Sequence, residues 1–139
     1  MLPFSRVTII GLGLIGSSLA RAIREYMPTV RVTGHDADPN VRQIARAIDL
    51  CDDVTDTAGE SVTDADLVVL CVPVRAMGVA AAEIADDLPA ETIISDVGSC
   101  KADVLAQLTA ALPGRTIIPA HPVAVSYTHL RAHETGRNL

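Results

Sequence analysis

The chain has no tryptophan and very few other aromatic residues. Two tyrosines and one phenylalanine among 139 residues put aromatics at 2%, whereas apolar residues as a whole reach 49%. A chain of this length fits one domain, and its core must be aliphatic, built from Val, Ile, Leu and Ala. This composition favours a Val/Ile-rich parallel sheet covered by helices over a surface that stacks on bases or carbohydrate.

The chain also lacks an excess of positive charge. Eleven Lys and Arg residues stand against seventeen Asp and Glu residues, for a formal net charge of −6. Because nucleic acid is bound by basic faces, this balance argues against nucleic acid as the main partner. The acidic residues are spread along the sequence and predict a solvated surface.

No apolar run is long enough to cross a membrane. The longest runs reach about half of the ~20 residues that a membrane-spanning helix needs. The first 22 residues imitate a secretory signal, with Arg6, an apolar stretch and the sequence Ala20-Arg21-Ala22. The glycines in this stretch have the spacing of a phosphate-binding loop, and the same structural unit of alternating strands and helices continues past Ala22 without a break. We therefore predict a cytoplasmic protein without a membrane partner.

Paired cysteines are missing as well. Cys51, Cys71 and Cys100 are odd in number and far apart, and no C-x-x-C motif or Cys/His pair has metal-ligand spacing. We expect reduced thiols and no metal site. Cys71 stands inside LVVLCVPV and is predicted to be a small core residue. Cys100 has no basic neighbour beyond Lys101, which argues against a reactive thiol.

The sequence does contain a regular alternation of apolar strands and amphipathic helices. Strands are predicted at 6–10, 30–36, 53–55, 66–74, 91–97 and from 115 onwards. Helices are predicted at 14–26, 39–50, 61–65, 75–88 and 99–112. Strands that alternate with helices predict an α/β fold with a doubly wound parallel sheet. Its ligand is expected beyond the carboxyl ends of the strands, where the connections switch direction.

Two of the helices have predicted apolar faces. The first helix carries apolar residues at helical spacing, namely Ile15, Leu19, Ala22 and Ile23. The second helix begins with Asp38 as N-cap and Pro39 at the first helical position. Its predicted buried stripe consists of Ile44, Ala47 and Ile48.

Three glycines follow the first strand and open the first helix. Gly11 permits a tight turn, Gly13 lets the backbone approach a pyrophosphate, and Gly16 brings the helix against the strand. The free amides at the helix N-terminus, including those of Leu14 and Ile15, then receive the negative charge. The sequence therefore predicts a phosphate-binding loop at 11–16.

An acid completes this motif at the end of the second strand. Asp36 stands twenty residues past Gly16, where a carboxylate accepts hydrogen bonds from the adenosine ribose and repels a 2′-phosphate, which favours NAD over NADP. His35 is a neighbour that tolerates some phosphate, so NADP stays open. The other interpretation is a structural glycine-rich turn with Asp36 as a helix cap. The preceding strand, the following helix and the acid together favour a dinucleotide site.

Three more loops leave the same predicted edge of the sheet. In the loop CVPV after the fourth strand, Val72 or Val74 can pack against a nicotinamide or adenosine face. Alternatively, Pro73 starts a helix and the loop does not touch a ligand; both interpretations stay open. Ser99 is the N-cap of the next helix, with its hydroxyl at the edge where the nicotinamide is expected. His121 ends the sixth strand, and an imidazole there can take the proton from a hydroxyl as hydride leaves the same carbon.

Five segments carry a resemblance to a known family. They are VTIIGLGLIGSSLARAIR, GHDADP, LVVLCVPV, SDVGSCKADV and AHPVA. In this order and spacing they resemble the NAD-binding half of the prephenate/arogenate dehydrogenases of tyrosine biosynthesis. The resemblance covers about residues 6–124, and its later motifs are much more specific than the glycine motif alone.

The resemblance implies a Rossmann-type NAD-binding domain over residues 1–124. It also implies an NAD-dependent oxidoreductase that oxidatively decarboxylates prephenate or arogenate. In that family the His of H-P-x-A-G engages the substrate hydroxyl as base or polariser, and the Ser of D-x-G-S-x-K assists it. In this sequence the matching residues are His121 and Ser99, which the resemblance implies are catalytic. Lys101 matches the Lys of the D-x-G-S-x-K motif.

The resemblance ends after Ala124. Val125 stands where the family has glycine, and residues 125–139 show no apolar period, so we expect a non-native or disordered tail. The family continues with a C-terminal helical domain that closes the site and forms a dimer. We expect this domain to be absent here, the chain itself to be inactive and the parent enzyme to be a homodimer. His129 and His133 are four residues apart, a spacing that lets two histidines on a helix bind one metal ion, but no third ligand accompanies them.

Two other functions stay open from the sequence. One is a catalytically silent module that binds NAD without turnover. The other is a different Rossmann reductase, of the β-hydroxyacid or imine type, in which a His-Pro pair after the sixth strand is not expected. His121 therefore separates the dehydrogenase hypothesis from the second alternative.

Overall fold

The structure is a computed structural model that describes residues 4–97 and 101–119. Within these ranges the chain forms one six-stranded sheet with helices packed on both faces. The strands are β1 (Arg6–Ile10), β2 (Arg31–His35), β3 (Asp53–Val54), β4 (Leu67–Leu70), β5 (Ile93–Asp96) and β6 (Thr116–Pro119). The helices are α1 (Leu14–Tyr26), α2 (Pro39–Ala47), α3 (Ala58–Val62), α4 (Met77–Ile84) and α5 (Lys101–Ala111).

The sheet has the order β3-β2-β1-β4-β5-β6, and every pair of neighbouring strands is parallel. The chain builds outward from β1 to β3 and then returns to the centre to build outward from β4 to β6. This confirms the predicted doubly wound parallel sheet. Its switch point lies between β1 and β4, where such sheets bind ligands beyond the carboxyl ends of their strands.

Central strands are apolar on both faces because both faces are covered. Val7 and Ile9 of β1 belong to the core under α1 and α2, whereas Ile10 belongs to the core under α3, α4 and α5. In β4, Val69 and Val68 divide between the same two cores. Each of these five side chains is at most 7% exposed, as expected for a parallel sheet between two helical layers.

Helix α1 has the predicted bounds but a partly different buried face. Ile23 and Ala20 are buried and Leu19 packs against the core, whereas Ile15 is 42% exposed. Ile15 lies in the first turn beside Leu14, which is also exposed.

The predicted buried stripe of α2 is wrong. Ile44 and Ile48 are 59% and 52% exposed and Ala47 is exposed, whereas Ala45 is buried at 2%. Val41, one turn earlier, packs against the core. Two helical faces were compatible with the spacing of apolar residues, and the small side chain of Ala45 allows the closer approach to the sheet.

Other elements differ from prediction at their ends. Helix α3 lies three residues earlier than the predicted 61–65, because Thr57 and Glu60 form a capping box that fixes its start. Strand β4 ends at Leu70 rather than 74, and a 3₁₀ turn at Val74–Ala76 precedes α4. Helix α4 ends at Ile84, four residues before the predicted end.

No helix within the described residues is long and apolar enough to span a membrane. The two cysteines in these ranges, Cys51 and Cys71, are free thiols. Cys100, His129 and His133 lie outside the described residues.

Candidate dinucleotide-binding site

The carboxyl ends of β1 and β4 lie side by side at the switch point. Ile10 and Leu70 are register partners, and the Cys71 amide donates to the Ile10 carbonyl at 2.7 Å. On the other side, the Gly11 amide donates to the His35 carbonyl at 2.7 Å. The loop after β1 is therefore held between the ends of β2 and β4.

Gly11 makes the turn out of β1 with a φ of +99°, a conformation that L side chains rarely adopt. A Cβ atom at this position would lie 2.5 Å from the Cys71 carbonyl oxygen, closer than carbon and oxygen can pack. Both observations require glycine. They confirm the tight turn predicted at Gly11.

Gly16 lies in the first turn of α1, directly against this loop. A Cβ atom here would overlap the carbonyl oxygen of Gly11 and would lie 3.4 Å from the Cβ atom of Cys71. The missing side chain therefore lets the helix approach the end of β1, as the sequence predicted.

Cys71 fills the space beneath the glycine loop and packs against the core under α1 and α2. Burial raises the pKa of its thiol to about 12, with the nearby charge of Asp96 as a smaller cause. The thiol is therefore protonated at neutral pH and acts as a packing residue, as predicted. The same holds for Cys51, whose pKa burial raises to about 11.

The helix N-terminus faces open space. Gly13 is exposed at the N-cap of α1, and a Cβ atom there would meet no atom of the described chain within 4 Å. Among the described residues no side chain caps α1, and its first turn contains no acid. The first amides of a helix lack intrahelical partners and attract anions. The side chains of Leu14 and Ile15 point outward, with Leu14 86% exposed.

Asp36 joins the end of β2 to the glycine loop. Its Oδ2 accepts a hydrogen bond from the Leu12 amide at 2.8 Å, and its Oδ1 accepts one from the Asp38 amide at 2.9 Å. A carboxylate has about four lone-pair sites, so this half-buried group keeps acceptor capacity for a ligand. The bond to Leu12 was not anticipated, because the middle residue of G-x-G carries no signal for a partner twenty-four positions away.

His35 is buried at 6% exposure, and its Nδ1 lies 3.0 Å from the Thr55 carbonyl oxygen. The ring is thus engaged below the surface, between β2 and the loop after β3. This burial argues against a phosphate contact at His35, and the half-buried Asp36 is the more accessible side chain at the end of β2.

The loop after β4 lies next to Gly11. Pro73 is the N-cap residue of the 3₁₀ turn, which confirms that it starts a helical segment. Val72 and Val74 pack against the core under α4 and α5. A Cβ atom at Gly11 would lie 3.0 Å from Val72 Cγ1, so Val72 borders the glycine loop. Contact of Val72 or Pro73 with a ligand stays a prediction.

The two predicted catalytic residues, Ser99 and His121, lie outside the described residues. The described strands before them end together: Asp96 of β5 and Pro119 of β6 are register partners. Asp96 is fully buried at this point. The structure therefore describes where both strands end and not the side chains that follow.

The sheet order, the glycine loop and the open helix N-terminus define a Rossmann-type nucleotide-binding domain. The chain belongs to the prephenate dehydrogenase family, because residues 19–129 match the model of that family's nucleotide-binding domain. This match extends five residues past Ala124, the predicted end of the resemblance.

Known proteins of this family align over most of the chain. A cyclohexadienyl dehydrogenase from Zymomonas mobilis is 51% identical over 124 residues, which cover 89% of this chain and 42% of that protein. A prephenate dehydrogenase from Bacillus subtilis is 33% identical over 123 residues, which cover 87% of this chain and 33% of that protein.

A solved structure agrees with the fold. The crystal structure of prephenate dehydrogenase from A. aeolicus in complex with hydroxyphenyl propionate and NAD+ matches with a TM-score of 0.78 at 25% identity. The match covers 91% of this chain and 46% of that chain. The chain thus spans less than half the length of each of the three proteins.

Proposed function

We propose that the chain binds NAD at its glycine loop and forms the cofactor-binding part of an NAD-dependent dehydrogenase. The proposed reaction is the oxidative decarboxylation of prephenate or arogenate in tyrosine biosynthesis. The observation that carries the proposal is the joining of the glycine loop to Asp36 through the Leu12 amide. Family membership and the NAD+ bound by the A. aeolicus relative support it. The proposal includes a cytoplasmic location, predicted from the sequence, and the homodimeric parent enzyme that the resemblance implies.

The described residues fit a dinucleotide. The space around a Cβ atom at Gly13 is open and no described side chain caps α1, so the amides of Leu14 and Ile15 in its first turn can receive a pyrophosphate. Asp36 lies one hydrogen bond away from the same loop and keeps acceptor sites for ribose hydroxyls. With His35 buried, the carboxylate of Asp36 is expected to repel a 2′-phosphate there, which favours NAD over NADP.

Bound NAD+ supplies a nicotinamide ring that accepts a hydride. We propose that His121 takes the proton of the substrate hydroxyl while hydride, the hydrogen with its bonding electron pair, leaves the same ring carbon. Loss of carbon dioxide then leaves the electron pair of the broken C–C bond in the ring, which becomes aromatic, and the phenolate oxygen recovers a proton. Ser99 assists by a hydrogen bond that orients the hydroxyl toward His121. The domain must therefore chiefly align the reacting carbon and accept one proton.

The cofactor part of the proposal is tested by NADH fluorescence titration of the chain. Asp36→Ala is expected to raise the NADH dissociation constant at least about tenfold, because hydrogen bonds to a charged acceptor are lost. The wild-type chain is expected to bind NADPH more weakly than NADH, and the substitution is expected to reduce this difference. Unchanged NADH binding by Asp36→Ala would contradict the placement of the ribose.

Asp66 offers a matched control for this substitution. The carboxylate of Asp66, like that of Asp36, accepts two backbone hydrogen bonds. Both reach its Oδ2, from the Ser5 and Arg6 amides at 2.8 and 3.0 Å, and they lie at the amino end of β1. Asp66→Ala is expected to cost about 1–3 kcal/mol of unfolding free energy, much as Asp36→Ala does, and to leave NADH binding unchanged. The pair therefore separates loss of stability from loss of the ribose contact.

The reaction is tested in a chimera that carries this domain in place of the matching segment of the Zymomonas mobilis enzyme. NAD-dependent release of carbon dioxide from prephenate or arogenate is expected, with NADH formation measured by absorbance in the same sample. NADH binding without turnover of either substrate would favour the silent module. Turnover of hydroxyacids alone would favour the other type of Rossmann reductase.

A further inference from the structure

Arg42 of α2 lies behind the turn that carries Asp36. Its side chain is only 16% exposed. One nitrogen, Nη1, donates to the Asp36 carbonyl oxygen at 2.8 Å and lies 3.3 Å from the Ala37 carbonyl oxygen. The guanidinium group therefore holds the two residues of the turn from its inner side, while the carboxylate of Asp36 faces the glycine loop.

A carboxylate lies on the other side of this guanidinium. Asp56, in the loop after β3, lies 3.6 Å from Arg42 Nε through its Oδ1. The same oxygen accepts a hydrogen bond from Arg46 Nη2 at 2.8 Å, and Arg46 Nη2 also donates to the Val54 carbonyl at 2.8 Å. The hydrogen bond and the charge of Arg46 lower the pKa of Asp56, so the carboxylate is ionised at neutral pH.

These contacts join three segments at one edge of the sheet. The turn after β2, the helix α2 and the loop after β3 are connected through Arg42, Asp56 and Arg46. A planar guanidinium with fixed donor directions restricts orientation more than a flexible ammonium does. The carbonyl and the carboxylate of Asp36 belong to one residue, so fixing the first limits where the second can point.

The same contacts argue against a role for Arg42 in binding a 2′-phosphate. An arginine near the end of β2 is the usual partner of a 2′-phosphate in NADP-binding domains. Here the guanidinium is turned under the Asp36–Ala37 backbone and toward Asp56. It is thereby kept from the ribose edge, where Asp36 is the group offered to the ligand.

We propose that Arg42 is a positioning residue for the adenosine-ribose site and a remote determinant of the preference for NAD over NADP. It acts through hydrogen bonds to the backbone of the Asp36–Ala37 turn, with Asp56 as its ion-pair partner on the other side. This inference rests on the proposed function, since it assigns a determinant to the same site. It predicts that loss of Arg42 weakens adenosine-ribose binding without direct contact between Arg42 and the ligand.

Arg42→Met is the test, with Arg24→Met as a matched control. Arg24 has the same kind of environment, because its Nη1 donates to the Asp49 carbonyl at 2.7 Å and its Nη2 lies 3.7 Å from Asp52 Oδ1. Neither of these contacts involves the glycine loop or Asp36. Arg42→Met is expected to raise the dissociation constant for NADH about tenfold, the loss of about one charge-assisted hydrogen bond. Arg24→Met is expected to change it by less than about twofold, as for independent sites.

Three readouts identify positioning as distinct from general loss of stability. Thermal unfolding is expected to show similar losses for both methionine variants. Binding of ADP-ribose is expected to weaken in Arg42→Met by the same factor as NADH, and the ratio of NADPH to NADH dissociation constants is expected to fall. Arg42→Lys is expected to recover part of the NADH affinity, because an ammonium group can still donate to a carbonyl oxygen. Asp56→Asn is expected to have the same effects as Arg42→Met at smaller size.

Equal NADH affinity in the two methionine variants, or an unchanged NADPH to NADH ratio in Arg42→Met, would overturn the inference. A wild-type chain that binds neither NADH nor ADP-ribose would instead refute the proposed function. The two failures are therefore distinguished by the wild-type titration alone.

Discussion

Replacing Gly16 by alanine is expected to lower the free energy of unfolding by about 3 kcal/mol, at the upper end of the usual cost of overpacking. The new Cβ atom would overlap the Gly11 carbonyl oxygen, which is backbone and cannot rotate away. The helix must therefore move off the end of β1, or the loop must open. Either change disturbs the amides of the first turn, so NADH binding is expected to be lost as well.

Gly13→Ala is the matched substitution three residues earlier. Its Cβ atom would meet no described protein atom within 4 Å, and its backbone is extended, with a φ of −77° and a ψ of −154°. The free energy of unfolding is expected to stay within about 1 kcal/mol of wild type, because the lost freedom of the unfolded chain offsets the cost of holding alanine at this ψ. The NADH dissociation constant is nevertheless expected to rise about tenfold, because the methyl group occupies the space where a pyrophosphate approaches.

Urea unfolding and NADH titration of the two variants separate folding from binding. The expected result is one variant that is unstable and one that is stable but binds poorly. A Gly16→Ala protein as stable as wild type would contradict the packing described between α1 and β1. A Gly13→Ala protein with wild-type affinity would contradict the assignment of the phosphate site.

The alternation of parallel strands with helices and the packing roles of Gly11 and Gly16 were predictable because they depend on local signals. Apolar runs bounded by turn residues place the strands, and the position of Gly11 after a strand and before a helix fixes its turn. The bounds of α1 at Leu14 and Tyr26 were predicted for the same reason. Element ends were predicted less well wherever a cap decided them, as the capping box of Thr57 and Glu60 did for α3.

The buried face of α2 and the contacts of Asp36 depend on long-range packing. Periodicity allowed either Ile44 with Ile48 or Val41 with Ala45 to face the sheet, and only the close approach of the helix selects Ala45. Arg42 reaches the Asp36 turn and Asp56 only because the loops after β2 and β3 meet at one edge. No short-range signal in the sequence encodes that meeting, so the network around Asp36 was not predicted.

His121→Asn, introduced into the chimera with the Zymomonas mobilis enzyme, is expected to lower kcat by about 10²–10⁴, the usual contribution of a positioned general base. Asparagine keeps the approximate shape and hydrogen-bonding capacity of histidine but does not accept a proton at neutral pH. The hydroxyl of the substrate would then keep its proton as the C–H bond breaks, which leaves the developing carbonyl positively charged. NADH affinity is expected to stay unchanged, because the proposed cofactor contacts at Asp36 and Gly13 are separate from the proposed role of His121.

The pH dependence distinguishes a base from a residue that only binds substrate. Only neutral imidazole accepts the proton, so the wild-type rate is expected to fall as the pH is lowered and the imidazole becomes protonated. His121→Asn is expected to lack this acidic limb. Ser99→Ala is the informative comparison: the loss of one orienting hydrogen bond is expected to lower the rate by about tenfold, and the acidic limb is expected to persist because the proposed base is still present. An acidic limb that survives in His121→Asn would assign the proton transfer to another group and leave His121 as a substrate ligand only.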